Sequence, residues 1–420
     1  MKTIHKLSSQ LMKRLFDLKW RSVFILIIPI SVILFLSITN NQIHYFNSFN
    51  LNLKLNSLFV NQSAAHVHVN NSLSTELKNS KIAVCLVGGA RRFELTGPSI
   101  IENILEEYPN ADLFLNSPVD SNSFKFSLLK SAPKIAVIRI FKQEVMPETD
   151  AAVRVLTASN SPNGIQGLLQ YFNLVEGCLT MIKSYQQQNN FTYNWIIRTR
   201  VDGYWSAQLE PDLFIPNHYI VPSGSSYGGL NDRFGVGDFK TSQTALSRHS
   251  MIQELDKSGL TKQNSESFFK AQLGLHNISY LTKSVPFCIV SDRMYEFPPQ
   301  MFGVPVAAMS SKGPLSGVKC RPCVSRFSTK WAEEIVNRLD RGWSWAESAN
   351  GTMQLCDGHS EWEEGWERIF DKVVGKKLSQ VRKRVSKLKF DECVEDFETL
   401  KRRSDVWDVI PIDEICKHVG

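Results

Sequence analysis

Between Arg21 and Lys54 the sequence contains no Asp, Glu, Lys or Arg, and before Cys85 it contains no cysteine. The first absence leaves Ser22 to Thr39, SVFILIIPISVILFLSIT, as an uncharged apolar run long enough to cross a bilayer as a helix. Pro29 can kink such a helix without preventing insertion. No clear small-x-small cleavage site follows, so an uncleaved signal anchor is expected in preference to a removed signal peptide. The Walker loop and the Rossmann G-x-G-x-x-G are both missing, which excludes P-loop nucleotide hydrolases and standard dinucleotide-binding enzymes. No internal repeat is visible, which excludes a solenoid.

Net positive charge is also scarce beyond the apolar run. The 420 residues carry +7, but Lys2, Lys6, Lys13, Arg14, Lys19 and Arg21 against Asp17 place +5 of it ahead of the run and leave +2 behind it. Nucleic acid is therefore not an expected partner. The basic lead keeps the N-terminus cytosolic and makes the remainder lumenal. A span of this length suits the thinner membranes of the early secretory pathway better than the plasma membrane, so a single-pass type II membrane protein of that pathway is expected. Sequons at Asn61, Asn70, Asn190, Asn277 and Asn350 agree with a lumenal location. So do the cysteines, all of which lie where disulfides can form.

What is present beyond the anchor divides by composition. Residues 1–21 read as a cytosolic tail, 22–39 as the transmembrane anchor and 40–80 as a polar stem. Residues 81–313 read as an α/β domain and 314–420 as a helical, cysteine-containing extension. KIAVCLVGG (Lys81 to Gly89), ADLFLNS (Ala111 to Ser117), KIAVIRIF (Lys134 to Phe141) and NWIIRTR (Asn194 to Arg200) are apolar runs of strand length. A helical segment is expected around Ile100 to Glu107. A long amphipathic helix presents Leu168, Phe172, Val175, Leu179 and Ile182 on one face. Alternation of strand and helix predicts a mostly parallel sheet flanked by helices, with ligands beyond the carboxyl ends of its strands. KKLSQVRKRVSKLK (Lys376 to Lys389) is expected as a packed surface helix in preference to a membrane-binding one.

The chemistry-bearing residues gather at strand ends. Arg198 and Arg200 alternate along one strand and Asp202 follows at the same parity, so three charges are expected on one face. A diphosphate, with or without a divalent cation, suits two guanidiniums and a carboxylate; a strand-closing Arg–Asp salt bridge with no ligand is the plain alternative. VGGARRFE adds Gly88 and Gly89, which let the backbone approach closely, and Arg91 and Arg92 as anion contacts. PSGSSYGGLNDRFGVGD reads as a polar loop with Asn231, Asp232, Arg233 and Asp238; a solvated loop with Asx turns competes with a site. Asp232 and Asp238 are candidates for metal ligation, acceptor hydrogen bonding or general base. Glu266 heads a helix, where it either holds an acceptor hydroxyl or answers the helix dipole. Cys320-x-x-Cys323 and Cys356-x-x-His359 could ligate zinc, but a lumenal chain favours disulfides.

These segments in this order resemble nucleotide-sugar glycosyltransferases of the GT-A type, in particular families with an R-x-R-x-D strand followed by N-D-R-F-x-x-G, and plant type II membrane proteins of unassigned function. The likeness covers Lys81 to Arg293. It implies donor contacts from Gly88, Gly89, Arg91, Arg92, Arg198, Arg200, Asn231 and Arg233. It further implies a Mn2+ or Mg2+ ligand at Asp202, and acceptor or acid/base roles for Asp232, Asp238 and Glu266. The usual Asp-x-Asp has Arg200 in place of its first Asp, which leaves one carboxylate for the metal. A nucleotide-sugar donor and a glycan or small-molecule acceptor are the implied partners. Two rivals stand beside the enzyme: an inactive lumenal scaffold that keeps the fold, and a cysteine-stapled interaction module built on Leu315 to Gly420.

Overall fold

The computed structural model describes residues 76–159, 163–296, 304–325 and 354–419. The cytosolic tail, the apolar run 22–39, nearly all of the stem and the sequons at Asn61, Asn70 and Asn350 lie outside the described residues. Among those described, no helix is long and apolar enough to cross a membrane.

The first apolar run becomes β1, Ile82–Val87, buried along its whole length. After a glycine turn come α1, Phe93–Ile100, and β2, Asp112–Pro118. A 3-10 helix, Ser123–Ser131, leads to β3, Ile135–Phe141. The chain then forms α2, Asp150–Val155, and α3, Gly164–Asn189, before β4, Trp195–Arg200, and β5, Gly203–Trp205. β6, His218–Pro222, and β7, Phe234–Asp238, bracket the polar loop. Helices α4, Phe239–Leu246, α5, Ile252–Lys257, and α6, Ser265–Leu275, precede β8, Ser279–Lys283, and β9, Phe287–Val290. Short strands β10, Val306–Ala308, and β11, Lys319–Arg321, follow. Last come α7, Trp366–Val385, α8, Phe390–Arg402, β12, Ser404–Val409, and α9, Ile412–Cys416.

The main sheet has eight strands in the order β12-β3-β2-β1-β4-β7-β6-β8. Every strand but β7 runs the same way, since β4–β7 and β6–β7 are its only antiparallel pairs among the described residues. The predicted parallel architecture is thus present. The long helix lies on one face with Phe172, Val175, Leu179 and Ile182 buried and Leu168 half-buried. Asn116 on β2 donates to the Leu174 carbonyl at 2.8 Å, and a Cβ at Gly177 would meet that amide at 2.4 Å, so glycine lets α3 lie close to the sheet. The helix expected at Ile100 starts earlier, at Phe93, and widens into a π turn over Ile101–Leu105. Gly97 within it is covered by the Phe93 ring, 2.5 Å from where a Cβ would sit.

The expected boundary at residue 314 is not a boundary of the fold. β11 pairs with β9 inside a second sheet, ordered β10-β11-β9-β5, and β12 pairs in parallel with β3 at the edge of the main sheet. Phe397 and Leu400 of α8 enter the main core. Among the described residues the strands of Leu315 to Gly420 are thus paired with β3, β9 and β10, all outside that segment. The segment from Lys376 is packed as expected, with Leu378 and Val385 of α7 and the following Leu388 all buried. The eight cysteines form four disulfides, Cys85–Cys178, Cys288–Cys320, Cys323–Cys356 and Cys393–Cys416. Zinc ligation by Cys320, Cys323 and Cys356 is displaced by this pairing, and His359 instead bonds Asp357 at 2.9 Å.

Candidate functional site

Chain order runs outward from β1 through β2 to β3 and then returns to place β4 on the other side of β1. The crevice beyond the carboxyl ends of β1 and β4 is therefore a topological switch point, where open α/β sheets collect ligands. β1 ends in Gly88, at φ +120°, and Gly89, whose Cβ would lie 2.6 Å from the Asp120 carboxylate. The positive φ of Gly88 favours glycine there, and a side chain at Gly89 would have to displace the Asp120 carboxylate. The turn throws Arg91 back over β4, where its Nη1 donates to Asp202 Oδ2 at 2.9 Å. Arg92 goes elsewhere, bonding Asp292 at 2.8 Å with its guanidinium 4.5 Å from the Trp362 ring.

The three charges expected on one face divide into two sets. Arg200 grips Asp202 with two parallel bonds of 2.8 and 2.7 Å. Burial alone would raise the Asp202 carboxyl, but Arg200, then Arg91 and Lys319, hold it well below the usual carboxylate range. Arg198 is enclosed, 1% exposed, and bonds the Tyr171 hydroxyl at 3.1 Å and the Asp232 carbonyl. It anchors the loop below the crevice and does not open onto it.

Because β7 runs backwards, its first residues lie at the same edge as the ends of β1 and β4. Thr199 pairs with Phe234, so Asn231, Asp232 and Arg233 fall beside Arg200. Asn231 is buried and bonds the Ser316 carbonyl at 2.9 Å; Arg233 bonds the Gly317 carbonyl at 3.0 Å. Asp232 accepts from the Ser265 hydroxyl at the head of α6 and faces Arg248 Nη1 at 3.9 Å. Burial would raise it, and Arg248, Arg198 and Ser265 outweigh burial and keep it ionised. Next to it, burial and then the Asp232 charge push Glu266 up to about 7. The Leu230 amide bonds the Glu266 carbonyl at 3.1 Å, and a Cβ at Gly229 would lie 1.9 Å from that oxygen, so the polar loop is pressed onto α6.

Asp238 is the correction. It pairs with Trp195 at the start of β4, about 17 Å along the strand from Arg200 at 3.3 Å per residue. There it caps α4, accepting from the Thr241 amide at 2.8 Å, and also accepts from the Asn217 amide at 2.6 Å. Asp238→Ala is expected to cost about 1 kcal/mol of stability and to leave ligand binding unchanged; thermal unfolding with and without ligand checks both.

Two charged residues of this region escaped the sequence reading. Arg248 is wholly buried, with its guanidinium 3.7 Å over the Phe269 ring. Lys319, on β11, lies in the field of Arg200, Arg233 and Arg91 and of the Asp202 carboxylate. Burial and those guanidiniums press its amine well below its ordinary range. Its only sequence signal was a lysine one residue before Cys320, which says nothing of the strand it joins. As for a metal, both Asp202 oxygens are engaged by arginine, and no three His, Cys, Asp or Glu side chains converge among the described residues. This donor set does not fit a divalent cation. A separate cleft of about 190 Å³, lined by Arg139, Met181, Tyr185 and Val406, opens on the other side of the sheet order and shares no residue with this cluster.

A family profile described as a domain of unknown function, DUF7796, matches residues 77–419. The chain belongs to the DUF7796 family. That span takes in β1, both sheets and β12, so the cation cluster lies wholly inside the DUF7796 domain. No curated protein matches the sequence. Among solved structures, the apo form of mouse xyloside xylosyltransferase 1 is similar at 13% identity, over 49% of this chain and 85% of that chain, with a TM-score of 0.30. At that score the backbones agree too loosely to transfer a fold or a chemistry to this DUF7796 protein.

Proposed function

We propose that this DUF7796 protein is a GT-A-like, type II Golgi glycosyltransferase that moves a sugar from a nucleotide-sugar donor to a glycan or small acceptor. One observation carries the proposal: Arg91 and Arg200 both bond Asp202 at the switch point between β1 and β4, and Arg233 and Lys319 bring two further cations into the same field. Cations gathered so closely in a partly buried crevice repel one another unless an anion joins them, and a diphosphate supplies that charge in a form that guanidinium matches. Four disulfides support an oxidising compartment, and the sequons at Asn190 and Asn277 are exposed.

The carboxylates then take different roles. Asp232 is locked in its ionised form by Arg248 and Ser265, which makes it a poor proton acceptor. Glu266, titrating near neutrality beside it, is the general base. It takes the proton of an acceptor hydroxyl as that oxygen bonds to the anomeric carbon. The bond from that carbon to the donor phosphate breaks, and the electron pair leaves with the nucleoside diphosphate, whose charge the cation cluster meets.

A second reading, a donor-binding scaffold without catalysis, is favoured by Arg200 standing where an acid is usual. Thermal shift of the full-length chain with UDP-, GDP- and CMP-sugars, followed by a transfer assay with the donor that binds, separates them. The enzyme reading expects stabilisation by one donor and turnover, both lost in Arg200→Ala. Binding without turnover favours the scaffold. No binding by any donor overturns both.

A further inference from the structure

One member of the cation cluster has no side-chain partner among the described residues. Lys319 makes no hydrogen bond and no ion pair among the described residues, although Arg91 and Arg200 both find Asp202. Its place is fixed by strand register: Lys319 pairs with Ile289, and Ile289 pairs with Gly203, the residue that follows Asp202. Two strand spacings of roughly 4.8 Å set the Lys319 backbone about 10 Å from that turn, within reach of a lysine side chain and a diphosphate between them. On either side of it Val318 and Cys320 pack into the core of the second sheet, which turns Lys319 the other way, toward Arg200 and Arg233. Cys288–Cys320 ties β11 to β9 at this position.

Resting on the donor-binding reading above, we propose that the site binds the donor's diphosphate without a divalent cation, and that Lys319, with Arg91 and Arg200, supplies the positive charge a metal would otherwise bring. Asp202 is then the organiser of two guanidiniums. Its Oδ2 accepts from both Arg91 and Arg200 and its Oδ1 from Arg200, which fixes the fork geometry that phosphate oxygens need. Beside a diphosphate, whose negative charge favours the protonated amine, Lys319 adds a third cation from the opposite wall of the crevice. The arrangement predicts indifference to chelators and sensitivity to salt.

The test uses the full-length chain in detergent, with UDP, GDP and inorganic pyrophosphate as probes, each in EDTA and in Mn2+. The expected result is equal affinity in both conditions for at least one probe. Lys319→Gln is expected to weaken it roughly 10- to 100-fold, as loss of a charge-assisted contact does, and Lys319→Arg to keep most of it. Binding that requires Mn2+ overturns the metal-free proposal and leaves the donor reading standing. Undiminished binding by Lys319→Gln overturns the role of Lys319. Failure of every probe in both conditions overturns the donor reading beneath it. Should Lys319→Gln not fold, the chelator comparison and Lys319→Arg still decide.

Discussion

Asp232→Ala is expected to lower the unfolding free energy by about 3–5 kcal/mol, the usual consequence of stripping one partner from a buried ion pair. Arg248 is fully buried, and neither of its terminal nitrogens has a hydrogen-bond partner among the described residues. Its Nε donates to the Ala245 carbonyl at 2.9 Å and the Phe269 ring beneath it offers only a quadrupole, so the Asp232 carboxylate at 3.9 Å is the ion-pair partner that offsets the charge. Asp232→Asn keeps the shape but not the charge and is expected to fall nearly as far. Replacing Asp232 and Arg248 together by apolar residues of similar volume is expected to restore most of the loss, because the two penalties are one interaction counted from each side. Urea midpoints of the four proteins measure this. A single Asp232→Ala variant that unfolds with the wild type would show that the Arg248 guanidinium is compensated elsewhere.

Glu266→Gln is expected to change stability in the opposite direction, and only above mildly acidic pH. The native carboxyl titrates near 7 and the unfolded one near 4.5. Between these values the folded chain keeps a proton that the unfolded chain has released, so stability is full below the lower value and falls as pH rises through the higher. The deficit above neutral pH is at most about 3 kcal/mol, and nearer 1–2 kcal/mol after solvent screening at this half-buried side chain. Gln cannot ionise, so the variant is expected to unfold at a higher temperature than wild type at pH 8 and at the same temperature at pH 4. Transfer by the same variant is expected to fall by about 10²- to 10⁴-fold with donor binding retained. A variant gaining nothing at pH 8 would remove Glu266 as the group poised near neutrality, and one that transfers normally would remove it as the base.

Much of the scaffold was legible because it is local. β1, β2, β3 and β4 lie within two residues of the apolar runs that announced them, and α3 follows its stripe. Gly88 and Gly89 could be assigned a turn because glycine tolerates such a close approach. Roles that depend on distant pairing were not legible. Arg198 and Arg200 share a strand and a parity, yet one is enclosed under Tyr171 and the other opens on the crevice; depth below the sheet edge is not encoded in alternation. Asp232 and Asp238 are six residues apart in one loop-and-strand segment, and the reversal of β7 sends them to opposite edges. Lys319 and Arg248 enter the cluster through β11 and the loop after α4, with contacts no window of sequence contains. β12 was read as part of an appendage because its partner, β3, is remote.

The pairing of β12 with β3 has a consequence for synthesis. More than 260 residues separate Phe141 from Ser404, so at 5–20 residues per second the outer flank of β3 waits roughly 13 to 53 s for its neighbour to leave the ribosome. Through that interval its unmatched amides and carbonyls are open to any passing extended segment. The nascent polypeptide, well before any sugar is at issue, is where a chaperone has the most to guard.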